Sequence, residues 1–127
     1  MSELLNFINK RIISFKHAFN GIRTALIEEI HFKFHCIIAA ITISAGIYLK
    51  INQYEWIALI ICISLVLITE ILNTSIENLA NFVSPEKNQL IKKVKDLAAA
   101  AVLIASIVSV VVGLIIFMPK ILNHFLN

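Results

Sequence analysis

Polar residues fall at long intervals in this chain, and the apolar runs between them have the length of membrane-crossing helices. Residues 97–118 carry no charge over 22 positions, and about 20 apolar residues suffice to cross a bilayer. Residues 34–49 are apolar except for His35, Thr42 and Ser44, and Lys50 follows. A further run, residues 56–69, ends at Glu70. Its length is about 21 Å at 1.5 Å per residue, short of a hydrocarbon core of about 30 Å, so Glu70 is expected inside the membrane or at its edge. Ahead of these runs, Leu4, Ile8, Ile12, Phe15, Phe19, Ile22 and Leu26 step by threes and fours. That spacing predicts an amphipathic helix with a basic opposite face, lying on the cytoplasmic surface of the bilayer. The pattern predicts one all-α integral-membrane domain over residues 1–127, with a surface helix over about 4–28 and spans over about 32–50, 55–83 and 92–120.

Composition supports this reading. Of 127 residues, 59% are hydrophobic and 15% charged, against about 25% charged in a soluble domain. Gly and Pro number 3 and 2, which suits long unbroken helices. Cys36 and Cys62 stand alone in separate spans and read as small apolar fillers. The first 30 residues lack an apolar core followed by a small-residue cleavage site, so no secretory leader is expected there.

Charge adds an orientation. Lys10, Arg11, Lys16, Arg23 and Lys33 precede the first span, and Lys87, Lys92, Lys93 and Lys95 lie between the second and third. Only Lys50 and Lys120 fall elsewhere. The positive-inside rule then puts the N-terminus and the 84–96 segment in the cytoplasm, with the 50–55 turn and the C-terminus outside. Tyr54 and Trp56 suit the outer interface. The net charge of +3 reflects this bias, and no nucleic-acid partner is expected.

The second span ends in residues 66–83, V-L-I-T-E-I-L-N-T-S-I-E-N-L-A-N-F-V. On a helix, Glu70, Asn73, Glu77 and Asn81 fall on one face over about three turns. Such a stripe is either a packing seam or a functional surface; intramembrane carboxylates favour function. Glu28 and Glu29 close the surface helix, and Asp96 follows Lys95. In a bundle, Glu29, Glu77, Lys95 and Asp96 would meet at the cytoplasmic interface. Carboxylates and ammonium groups there suit Mg²⁺ and a polyphosphate, while the deeper Glu70 could accept a proton from a lipid alcohol. The nucleotide cradles G-x-x-x-x-G-K-S/T and G-x-G-x-x-G are both missing, and Gly21, Gly46 and Gly113 are isolated.

Three segments carry a resemblance. E-I-L-N-T-S-I-E (residues 70–77), K-D-L-A-A-A-A-V-L (95–103) and G-I-R-T-A-L-I-E-E (21–29) resemble, in order and spacing, motifs of the small prokaryotic diacylglycerol kinase and undecaprenol kinase family. The resemblance covers nearly the whole chain. It implies a homotrimer of three-span subunits in a prokaryotic cytoplasmic membrane, with active sites shared between neighbours. It also implies ATP and a membrane lipid alcohol as substrates and Mg²⁺ as the metal. Glu70 would correspond to the general base. Glu29 and Glu77 would hold the metal, and Asn73, Lys95 and Asp96 would contact the nucleotide or orient the site. Lys10 or Arg11 could reach the phosphates. Asn81 stands where the family commonly has Asp, and His17 where an aromatic is usual against the adenine; both keep places in the nucleotide site. Ser75 replaces a common Ala.

F-K-F-H (32–35) is similar to the undecaprenol kinase branch, so undecaprenol is favoured as acceptor over diacylglycerol. His35 is read either as a contact for that lipid or as an interfacial histidine bonded to a neighbouring helix. Without the resemblance, the stripe fits a lipid kinase or a small ion- or proton-coupled transporter subunit with Glu70 as its site. A non-enzymatic assembly factor, with the stripe as its seam, is a third reading.

Overall fold

The computed structural model describes residues 2–84 and 88–126, so Lys87 lies outside the described residues. Four helices account for nearly all of them, and no strand occurs among them: α1 (Ser2–Glu28), α2 (Ile30–Tyr48), α3 (Gln53–Val83) and α4 (Gln89–Leu126). The last three are long and apolar enough to cross a membrane. α3 has 31 residues, about 46 Å of helix.

The helix boundaries have local causes. Glu29 separates α1 from α2 in an extended conformation, φ −97° and ψ 113°, without any Gly or Pro. The ladder barely breaks: Glu29 N–H still reaches the Ala25 carbonyl, and Lys33 N–H reaches that of Glu29. α2 ends in a Schellman arrangement, in which Ile51 N–H bonds to the Gly46 carbonyl and Lys50 N–H to that of Ile47. The left-handed position in that motif is Lys50, at φ 50°, where glycine is the usual occupant. α3 opens with a capping box: Asn52 Oδ1 accepts from the backbone of Tyr54 and Glu55, and Glu55 Oε2 accepts from Asn52 N–H. Asn88 Oδ1 caps α4 through Leu90 N–H. α4 continues through Pro119.

α3 and α4 pack together along much of their length, and α2 and α1 add smaller contacts. A cluster of Ile51, Leu59 and Ile116, flanked by Trp56, Val112 and Phe117, anchors the α2–α3 turn to the end of α4. Lys120 Nζ pairs with Glu55 there at 3.1 Å. Gly46 admits the Trp56 ring: a Cβ on it would lie 3.0 Å from that ring and 3.1 Å from Ile51 Cδ1. Small residues line the α3–α4 seam, with Ala80, Ala98 and Ala105 buried, so the backbones approach closely. Ser109 Oγ, shared between the carbonyls of Ala105 (2.8 Å) and Cys62 (3.3 Å), fixes the register. The outward apolar side chains, such as Ile41, Ile104 and Ile115, are exposed, as a lipid-facing surface requires.

Candidate active site

The buried face of α3 runs Leu59, Cys62, Val66, Glu70 and Ala80, the three- and four-residue spacing of a helix seam. Glu70 occupies that seam at 4% exposure. On α4 the buried small residues of the seam are Ala98 and Ala105. No hydrogen bond or ion pair to Glu70 occurs among the described residues. Its oxygens are not among the enclosed side-chain atoms that lack a partner, so the carboxylate at this seam stays open to a substrate.

Toward the Val83 end of α3 the stripe becomes a chain of contacts. Asn73 Nδ2 donates to Glu77 Oε1 at 3.3 Å, and both residues are half-buried. Asn73 Oδ1 is buried with no donor. The amide is thus turned toward Glu77, although position alone would also have allowed it to serve Glu70. Lys95 Nζ crosses from α4 to Asn81 Oδ1 on α3 at 3.0 Å. Thr69 and Ser75, which share this stretch, give their hydroxyl protons to carbonyls of their own helix.

The remaining expected residues are more dispersed. Glu29 is half-buried at the α1–α2 joint. Asp96 is exposed beside Lys95, and Lys10 and His17 are exposed on α1. Arg11 lies over the ring of Phe7 on its own helix, 5.1 Å from the centroid. Among the described residues no three His, Cys, Asp or Glu side chains converge as a metal site. The structure therefore joins Asn73 to Glu77 and Asn81 to Lys95, but does not gather all the expected ligands in one copy.

Sequence reasoning left one feature unseen. A groove of about 620 Å³ runs between α2, α3 and α4, and its lining includes His35, Thr42, Leu67, Ser109 and Phe117. Leu67 precedes Glu70 by one turn of α3. Thr42 donates to the Ile38 carbonyl and Ser109 to that of Ala105, so their hydroxyl protons are already committed. The signals for this groove were the small residues at 106, 109 and 113, which leave space beside bulky neighbours.

Comparison with known proteins gives a consistent result. Residues 16–117 match the family model described as prokaryotic diacylglycerol kinase. The chain is 33% identical to an undecaprenol kinase of Bacillus subtilis (strain 168), over 91% of this chain and 94% of that protein. It is also 33% identical to diacylglycerol kinases of Haemophilus influenzae (strain ATCC 51907 / DSM 11121 / KW20 / Rd) and Escherichia coli (strain K12). The first of these matches covers 84% of this chain and 91% of the relative; the second covers 75% and 78%.

Proposed function

From the premise that this chain belongs to the prokaryotic diacylglycerol kinase family and is a multi-pass membrane lipid kinase, we propose that it transfers the γ-phosphate of ATP to the hydroxyl of undecaprenol, with Glu70 as general base. The transporter and assembly-factor alternatives give way to this family membership.

The observation that carries the base assignment is Glu70 itself. It is a carboxylate 4% exposed, unpartnered among the described residues, on a helix that runs from the apolar groove into the polar stripe. An alcohol whose hydrocarbon lies in lipid along that groove would bring its hydroxyl to this level. Glu70 takes the hydroxyl proton as the alcohol oxygen bonds to the γ-phosphorus. The bond from that phosphorus to the bridging oxygen breaks, and ADP leaves.

The groove also favours the polyisoprenoid. A diacylglycerol carries two esters, which ask for hydrogen-bond donors, and of the three hydroxyls lining the groove those of Thr42 and Ser109 are taken within the protein, which leaves Ser106. An isoprenoid alcohol has only its hydroxyl to satisfy. His35, at the groove wall, is proposed to contact the lipid near that hydroxyl. The similarity to the Bacillus subtilis protein over nearly its whole length and the F-K-F-H segment agree with this choice.

The nucleotide is proposed to lie along Asn73, Glu77, Lys95 and Asp96, with Lys10 and His17 closing from α1. The residues fit a hard divalent ion. Glu77 offers oxygen donors, and with one oxygen tied to Asn73 its other remains available; Mg²⁺ takes one or two carboxylates together with phosphate oxygens. Glu77 and Glu29 would hold it, and when bound it would offset phosphate charge. Because these ligands are dispersed in one copy, the complete site is proposed to form between subunits of a homotrimer. α1 would lie on the cytoplasmic leaflet of the inner membrane, with the C-terminus outside.

Phosphate transfer from radiolabelled ATP in mixed micelles with Mg²⁺ tests the proposal, with undecaprenol and diacylglycerol offered separately. Transfer to undecaprenol that exceeds transfer to diacylglycerol and needs Glu70 is expected. Faster transfer to diacylglycerol would overturn the lipid assignment, and full activity of Glu70→Gln would overturn the base.

A further inference from the structure

The contact between Asn81 and Lys95 joins two helices just before the chain turns from α3 to α4, and it pairs a cation with a neutral amide. Lys95 Nζ is 3.0 Å from Asn81 Oδ1, and no carboxylate stands within 4.0 Å of that ammonium among the described residues. Asp96, its neighbour in sequence, is exposed and forms no ion pair among them. Lys95 is half-buried and its amide partner exposed, so the ammonium is held at the rim of the seam.

A lysine side chain has a flexible four-carbon stem and three N–H donors. Left alone it samples many positions. Tied to a carboxylate, it gains order but surrenders much of its charge. A carbonyl oxygen does one without the other: it directs the ammonium and leaves the unit charge and two donors for a further anion.

We infer that Asn81 is a positioning residue for Lys95, holding the ammonium with an uncharged acceptor so that its full charge meets the phosphates of the nucleotide. The inference rests on the ATP-facing role proposed above for Lys95. It makes Asn81 a residue that acts through Lys95 and does not itself touch ATP.

The test is binding of a non-hydrolysable ATP analogue, with Mg²⁺, to the full-length protein in detergent micelles. Wild type is compared with Asn81→Leu, Asn81→Asp, Lys95→Met and the double variant Asn81→Leu/Lys95→Met. Asn81→Leu should weaken binding by about threefold to tenfold, toward the lower end of the range for coupled neighbours. Asn81→Asp, nearly the same shape, still holds the ammonium but shares its charge, so it should weaken binding by less than Asn81→Leu. In the Lys95→Met background, Asn81→Leu should change nothing further.

Wild-type affinity in both Asn81 variants, with Lys95→Met weakened, would overturn the positioning role and leave the ATP site standing. Equal losses from Asn81→Leu in both backgrounds would also overturn it, since Asn81 would then act on the nucleotide directly. Unchanged binding by Lys95→Met would sink the placement of ATP itself. A lowered unfolding temperature in Asn81→Leu at unchanged affinity would make the pair a plain tether between helices.

Discussion

Asn73 gives an amide hydrogen to Glu77 at 3.3 Å and keeps its own carbonyl oxygen buried without a donor. The charge on Glu77 fixes this orientation, because the reversed amide would set oxygen against oxygen. One side chain thereby holds a proposed metal ligand and leaves an acceptor unused.

Removing that hold should be felt at the nucleotide. Hydrogen bonds to charged groups contribute about 1.5–3 kcal/mol, so Asn73→Ala should raise the KM for Mg-ATP by roughly tenfold or more. The unfolding temperature should move little, because the buried unpaired oxygen goes too. Steady-state kinetics beside a thermal melt checks both, and an unchanged KM would remove Asn73 from the site.

Glu70→Gln keeps the volume of the side chain and removes the proposed base. A positioned base contributes about 10²- to 10⁴-fold, so kcat should fall by at least about 100-fold. Because Glu70 makes no hydrogen bond or ion pair among the described residues, the variant should unfold at about the same temperature as wild type. Loss of activity together with loss of fold would mean that Glu70 serves the seam.

Gly46→Ala should be destabilising. Its new methyl would meet the Trp56 ring at 3.0 Å and Ile51 Cδ1 at 3.1 Å, and overpacking of this kind costs about 1–3 kcal/mol. Trp56→Phe in the same chain should recover part of the loss. Thermal unfolding in detergent measures both, and a neutral Gly46→Ala would show that the ring moves freely.

Lys50→Gly should act in the opposite sense. A left-handed conformation costs a side-chain-bearing residue about 1–2 kcal/mol, and glycine escapes it at some cost in chain entropy. A net gain of up to about 1 kcal/mol is expected in the same melt. A loss would show that the lysine side chain contributes more than its backbone strain removes.

The three apolar helices were legible because a bilayer demands long uninterrupted hydrophobic runs, and residues 97–118 and 34–49 supply them. Glu70 was legible as the residue that breaks such a run. The break at Glu29 was less so: it carries no Gly or Pro, and one extended residue leaves the hydrogen-bond ladder almost intact. Lys50 in a glycine conformation follows from tertiary packing of Ile51 and Trp56, which local propensity does not contain. Stripe geometry put Asn73 beside both carboxylates, and only side-chain placement chose Glu77. The groove needed the mutual position of three helices, set in part by Ser109, which a one-dimensional pattern does not report.

α3 is unbroken from Gln53 to Val83, some 16 Å longer than a hydrocarbon core of about 30 Å. A helix without a hinge measures depth, because every residue on it is fixed at 1.5 Å intervals from its N-terminal cap at Asn52. Glu70 sits about 27 Å from that cap. With the Asn52 end held at one interface, a bilayer thicker by one helical turn would sink the carboxylate by about 5 Å relative to the headgroups of the opposite face, unless the helix tilted or the lipid thinned around it. Catalysis by this protein should therefore depend on the acyl-chain length of the lipids that surround it, including lipids that are never substrates.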